Sequence, residues 1–303
     1  MTDGAISRDA APLAARPFGP LEWALTGVIA FIWGGSFLFI RIGLETFGAG
    51  LVPALRIAFG VLALGLLPSS RRPIDRADWP RVVLLGVVWM ALPFVLFSLA
   101  ERTVPTAIAG MINGAVPLAT AAVAALMHRR APSLRRGVAL LLGLFGVSVI
   151  ALSVAHDAER GADLAGIFML LAAVVCYGVS ANLALPLQRR YGSIAVLFRV
   201  QLVALLASVP FALVASRTAS FTWTAMGAMF LLGAFGTGLA YAVLATLVGR
   251  TDATRGTIGV FLTPIVATVL GVTVRQEQLP AAALVGAALI LAGAILTSRP
   301  EPA

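Results

Sequence analysis

Along most of this chain, apolar residues run on for about twenty positions before a charge or a turn residue interrupts them. Cutting at those interruptions leaves ten segments, near 23–43, 50–67, 80–99, 105–127, 135–155, 164–185, 193–214, 223–247, 254–274 and 280–297. A bilayer core about 30 Å thick takes roughly 20 apolar residues of helix, with about 17 to 25 as the working range. A transmembrane barrel would instead alternate apolar and polar positions over strands of about ten residues. These runs are continuous and rich in Ala and Leu, and the connections SSRRPIDRAD (69–78) and HRRAPSLRR (128–136) are too short for a soluble domain. The pattern predicts an all-α integral membrane protein of ten transmembrane helices.

Composition agrees with lipid as the solvent. Hydrophobic residues fill 60% of the 303 positions and charged ones only 12%, with a mean hydropathy of +0.98. A soluble fold of this size could not hide so much apolar surface in one core. A net charge of +9 would suit nucleic acid, but such a binder clusters basic residues on one polar face, whereas here all 22 are Arg and punctuate apolar segments. They set an orientation instead, because basic residues stay on the cytoplasmic side. With the N-terminus inside, the cytoplasmic stretches hold Arg8, Arg16, Arg71, Arg72, Arg76, Arg81, Arg129, Arg130, Arg135, Arg136, Arg189, Arg190, Arg250, Arg255 and Arg299. The opposite loops hold Arg41, Arg102, Arg160, Arg217 and Arg275, one each. Both termini are therefore expected in the cytoplasm of a cell whose inner (plasma) membrane the chain crosses repeatedly. Arg56 and Arg199 are left over, inside apolar runs. The first twenty residues carry three prolines and lack the apolar core of a signal peptide, so they read as a disordered tail. Cys176 stands alone, which excludes a disulfide framework.

The chain also resembles itself. VPTAIAGMINGAVPLATAAVAAL (104–126) matches TDATRGTIGVFLTPIVATVLGVT (251–273) loosely at a shift of 147, which superposes Pro117 on Pro264 and Gly146 on Gly293. Shifts near 143–144 pair Trp33-Gly34 with Tyr177-Gly178, Arg56 with Arg199 and Trp79 with Trp223. Five helices per half is an odd number, so the second half must enter the membrane upside down. Inverted repeats are a recurrent architecture of secondary transporters, with the site near the midplane between them. The expected divisions are a cytoplasmic tail at 1–22, five-helix repeats at 23–155 and 164–298, and a short tail at 299–303.

WGGSFLFIRIGLE (33–45), ALRIAFG (54–60), the proline-centred fourth and ninth segments, and VRQEQLPAAALVGAALILAGAIL (274–296) resemble the EamA-type members of the drug/metabolite transporter (DMT) superfamily. The resemblance covers roughly residues 23–298. Glu277 fits the family's glutamate before its last helix; the matching place in the first half falls near Arg130, so the acid is missing there. The resemblance implies a 5+5 inverted-repeat fold and export or exchange of small metabolites.

Charge inside a bilayer is costly, so such residues normally face the bundle interior or water. Arg56 and Arg199 are thus candidates for a substrate cavity, where an Arg fork suits a carboxylate; the plain reading is a stem that snorkels to the headgroups or a helix-to-helix bond. Gln201 adds a polar group on another face of the same segment as Arg199. Pro117 and Pro264 each free a carbonyl on the preceding turn and mark cavity-lining kinks or mere packing kinks. Asn113, one turn earlier than Pro117, and Asn182 are polar at depth. Trp33, Tyr177 and Tyr241 offer aromatic walls, against a plain role in core packing. Ser36 follows Gly34-Gly35, small residues whose ordinary role is close helix packing.

No carboxylate is clearly buried at the midplane, and Glu101 and Glu277 near helix ends read as partners for nearby Arg. The two histidines, His128 and His156, fall in loops on opposite sides, no HExxH occurs, and no GKS/T follows the glycines. Metal, cofactor and enzyme chemistry are not expected. The expected function is secondary transport of amino-acid-like or drug-like metabolites by alternating access, with proton or counter-substrate coupling open. A lipid or amphiphile flippase of the same fold and a non-transporting membrane scaffold are the alternatives. Substrate and bilayer are the expected partners.

Overall fold

The computed structural model describes residues 19–129, 131–156, 164–250 and 258–298, and every regular element among these residues is helical. The expected tails, Arg130, the 157–163 connection and the 251–257 connection lie outside the described residues. The helices are α1 (Pro20–Leu44), α2 (Leu51–Gly65), α3 (Arg76–Ala100), α4 (Thr106–Met127), α5 (Leu134–His156), α6 (Leu164–Tyr191), α7 (Ser193–Ser216), α8 (residues 223–250), α9 (Ile258–Arg275) and α10 (Ala281–Ser298). Among the described residues eight are long and apolar enough to cross a membrane, and α2 and α9 are shorter apolar helices.

Helix boundaries differ from the apolar pattern where polar residues support extra turns. α1 begins at Pro20, whose missing N–H costs nothing in a first turn, and Glu22 Oε2 accepts the Gly19 N–H at 3.0 Å. α6 runs on through Pro186 to Tyr191, so that its last turn carries Arg189 and Arg190. Gly192, at φ 87, then reverses the chain directly into α7 at Ser193; only glycine adopts that backbone without strain.

Three helices depart from regular α geometry, and α9 stays α-helical through a proline. α4 breaks at Gly114-Ala115, between Thr106–Asn113 and Val116–Met127. Pro117 cannot supply the donor that the Asn113 carbonyl would receive, and Pro264, inside α9, does the same to Val260. In α3 a π-helical stretch, Gly86–Ala91, precedes Pro93, and in α8 a longer one, Leu231–Leu239, contains three glycines.

The packing is interlaced. The main helix contacts pair α5 with α10, α1 with α9, α1 with α8, α2 with α8, α4 with α6, α2 with α7, α3 with α6, α4 with α9 and α3 with α7. Each joins a helix of α1–α5 to one of α6–α10, and exchanging the two sets reproduces the scheme: α1 with α9 becomes α6 with α4, and α2 with α8 becomes α7 with α3. Contact atoms fix the register. A Cβ added at Gly86 would lie 2.5 Å from Val203 Cγ1 and 3.2 Å from the Val200 carbonyl, whereas one added at Gly233 would meet Phe59 Cβ at 2.5 Å and the Arg56 carbonyl. Val200 is thus the counterpart of Arg56, and Arg199 falls one residue, or about 100° of helix, away. The expected pairing of Arg56 with Arg199 is corrected by that single residue.

The connections collect at two ends. At the basic end Arg190 reaches Asp78 at 3.0 Å and Asp75 at 2.5 Å, and the Tyr191 hydroxyl donates to Asp78 at 2.8 Å. At the far end Arg275 pairs with Glu45 at 2.7 Å, and Ser220 N–H donates to the Thr46 carbonyl at 3.1 Å.

Candidate functional site

Between α1, α2, α3, α4, α6, α8 and α9 lies a cavity of about 290 Å³. Trp33, Ser36, Phe37 and Ile40 line it from α1, Arg56 from α2, Trp89, Phe94 and Phe97 from α3, and Asn113 and Val116 from α4. Tyr177 and Ala181 of α6, Tyr241 and Leu244 of α8, and Val260 of α9 complete it. Its walls are chiefly aromatic. Trp33 and Trp89 each meet Tyr241 edge to face, with ring centroids at 5.3 and 5.8 Å, while Phe97 lies against Phe37 at 5.7 Å and stacks on Tyr177 at 6.0 Å.

Arg56 is the cationic group in this wall, and it is only 9% exposed. Its guanidinium lies over the Phe94 ring, 3.8 Å from the centroid, and its Nε donates to Thr237 Oγ1 at 2.8 Å. The aromatic face and the single hydroxyl hold the charge without neutralising it. The two terminal nitrogens remain for the cavity, and among the described residues no carboxylate pairs with Arg56. A forked donor of fixed charge has the geometry to pair with a carboxylate in bidentate fashion.

The π-helical stretch of α8 supplies the supports. Departure from α geometry leaves carbonyls without their usual donors. Trp33 Nε1 donates to the Gly236 carbonyl at 3.0 Å, and the wholly buried Gln201 donates to the Thr237 carbonyl at 2.7 Å. Thr237 Oγ1 itself donates to the Leu232 carbonyl five residues back, at 3.2 Å. That bond leaves its lone pairs aimed at Arg56 Nε. Thr237 was not legible as a site residue because its position depends on this bulge. Trp89, Phe94 and Phe97 are equally hard to single out, since aromatics in an apolar run look like core.

The sequence candidates do not all share one place. Trp33, Ser36, Arg56, Asn113, Tyr177 and Tyr241 share the cavity. Pro117 lines a second, larger cavity of about 860 Å³, also bounded by His128, Arg136, Thr297 and Ser298. The two cavities have Val116, Ala181 and Val260 in common, so the central one continues toward the basic end. Pro264 instead packs on Gly114, where an added Cβ would lie 2.8 Å from its Cγ. Asn182 braces α6 on α4, donating to the Thr120 carbonyl at 3.0 Å. Arg199 lies outside both cavities: it donates to the Ser70 carbonyl at 2.6 Å and to the Arg72 carbonyl at 3.4 Å, pinning the α2–α3 connection. The one-residue offset from Arg56 explains why it faces a loop.

Hydrogen bonds tie the helices together at the far end. Glu277 accepts the N–H groups of Thr106 at 2.8 Å and Ala107 at 2.9 Å, capping the start of α4, where a carboxylate also complements the helix dipole. Arg41 donates to the backbone carbonyl of Glu101. Among the described residues no cluster of His, Cys, Asp and Glu could hold a metal ion.

The description of the EamA-like transporter family matches the chain twice, over residues 22–152 and 164–299. A protein of Streptantibioticus cattleyicolor described as a "probable terminal-alkyne amino-acid exporter" is 29% identical over 91% of this chain and 93% of its own length. An uncharacterized transporter of Archaeoglobus fulgidus is 19% identical over 92% of this chain and 99% of its own. The uncharacterized transporter YdfC of Bacillus subtilis is 25% identical over 79% and 78%. A solved crystal structure with 19% identity superposes with a TM-score of 0.59, covering 91% of this chain and 96% of its own, and so shares the fold. Because one family description accounts for both halves, the protein belongs to the EamA-like transporters and is a multi-pass protein of the cell membrane.

Proposed function

We propose that the protein is a secondary transporter that exports or exchanges small carboxylate-bearing metabolites of amino-acid type across the bacterial inner membrane by alternating access. The observation that carries this reading is Arg56, whose free fork faces an aromatic cavity of about 290 Å³, near the lower bound of small-molecule sites. The exporter of Streptantibioticus cattleyicolor supports an amino-acid-like cargo. In this reading α1–α10 all cross the membrane as two inverted five-helix repeats, residues 23–155 and 164–298, and both termini are cytoplasmic. The half-exchange symmetry of the packing and the concentration of loop arginines at the basic end support that arrangement. In this reading the basic end is cytoplasmic and the state is inward-open, a view supported by the larger cavity at that end and by the Phe37–Phe97 contact on the far side.

Purified protein in liposomes tests the proposal. A carrier gives saturable uptake of a radiolabelled amino acid and counter-exchange against a preloaded one. Unsaturable flux would indicate a channel, movement of a fluorescent phospholipid a flippase, and no movement of either a scaffold; each of these outcomes overturns it.

A further inference from the structure

Outside the aromatic ceiling of the cavity lies a layer of charge that substrate recognition does not use. Phe37 and Phe97 close the cavity on the far side, and one helical turn further on come Arg41 of α1 and Glu101 at the end of α3. Residues four apart share a helix face, so the two charges continue the two aromatic faces outward. Glu277 and the start of α4 form the next contact in this layer.

Glu101 differs from every other acid described at this end. It is 0% exposed, and among the described residues neither of its carboxyl oxygens has a hydrogen-bond partner. Arg41 engages its backbone carbonyl instead of its carboxyl group. The Thr106 hydroxyl, also wholly buried, is unpartnered as well. Buried polar groups are nearly always satisfied, so two unsatisfied ones in one layer call for a physical account. An ionised carboxylate here would lose its hydration with nothing in return. Burial therefore raises the Glu101 proton affinity well above the usual carboxylate range; Arg41 opposes the shift, Glu277 adds to it and Arg56 opposes it. Those three are the charged groups facing it, from α1, the α9–α10 connection and α2. Arg102, next in the chain, is exposed, and Asp163, before α6, lies outside the described residues.

We infer that Glu101 is a proton-binding latch of the far-end gate, neutral while the gate is sealed and ionised once opening admits water. The inference rests on the alternating-access reading. On opening, the carboxyl O–H breaks and its proton passes to water on the far side; on closing, the carboxylate takes one proton back. The sealed form thus holds one proton more than the open form. Sealing is favoured below the open form's ordinary carboxylate value and is lost as pH rises through the raised value of the sealed form. Far-side acidity would then slow outward opening.

Spin labels on Thr103→Cys and Gln278→Cys, both exposed at the far end, in a Cys176→Ala background report the gate distance in lipid nanodiscs. A single short distance in acid, giving way along a one-proton curve to a longer one in alkali, supports the latch. Glu101→Gln should keep the short distance at every pH. Glu277→Gln and Glu101→Asp should still titrate, Glu101→Asp with a displaced midpoint. A distribution that ignores pH in the parent, or titrates identically in Glu101→Gln, overturns the proposal; if Glu101→Gln does not fold, an unshifted midpoint in Glu101→Asp does so. Intact titration in a protein that moves no solute in liposomes would sink the transport reading and leave the latch standing.

Discussion

Replacing Arg56 with Gln separates binding from folding, because the structural terms nearly cancel. The substitution removes a buried charge that costs at least about 2.5–3.5 kcal/mol on insertion scales. It also removes the bond to Thr237, worth about 1.5–3 kcal/mol for a charged donor, and the contact with the Phe94 face, about 0.5–2 kcal/mol. Expression and thermal stability should therefore stay near those of the parent. Recognition has no such compensation. Two charge-assisted bonds to a carboxylate, at the low end of about 1.5 kcal/mol each, total about 3 kcal/mol, or roughly 150-fold in affinity. Counterflow in liposomes, run with an amino acid and with its carboxamide, reads the difference. Affinity for the acid should fall by about 100-fold or more, with the carboxamide changed by less than about 3-fold. Arg56→Lys, which keeps the charge but not the fork, should fall between. Equal losses for acid and amide, or an undiminished affinity for the acid, would refute the assignment of Arg56 to the carboxylate.

Four further substitutions test its support and the packing elsewhere. Thr237→Val removes the acceptor that fixes Arg56 Nε, so affinity for the acid should fall about 10-fold, about one hydrogen bond's worth, with amide binding unchanged in the same counterflow assay. Arg199→Gln, which frees only loop carbonyls at the basic end, should leave KM within about 2-fold while lowering stability by about 1 kcal/mol, measured by thermal unfolding in detergent. Gly286→Leu would press its Cβ to 2.6 Å from the Gly146 carbonyl and should cost about 1–3 kcal/mol of stability. Gly137→Ala, where nothing lies within 4 Å, should leave the melting temperature unmoved.

The helical pattern was legible because lipid imposes it: runs such as 135–155 are long and uniform enough to define α5 to within a residue or two. The prolines were legible for a similar reason, since Pro117 and Pro264 act on their own helices, and the residues whose carbonyls they free, Asn113 and Val260, both line the cavity. What escaped depends on geometry between helices. A shift of one residue separates Arg199 from the true counterpart of Arg56, and loose Ala- and Leu-rich similarity could not resolve one residue. The bulge in α8 that turns Thr237 toward Arg56 comes from a glycine-rich stretch, LLGAFGTGL, that reads as ordinary close packing. Glu101 was expected to partner an Arg; its carboxyl group has no partner because Arg41 engages the main chain beside it.

The interlaced packing has a consequence for how the protein is made. Helices α1–α5 leave the ribosome first, yet their main partners all belong to α6–α10. Until synthesis is nearly complete, the face of Gly146 that α10 will cover and the buried surface of α2 that α7 and α8 will enclose have only lipid to meet. Each half is a unit of sequence without being a unit of packing. Assembly can therefore begin only as α6 and the helices after it arrive, and it is complete only when α10 covers α5.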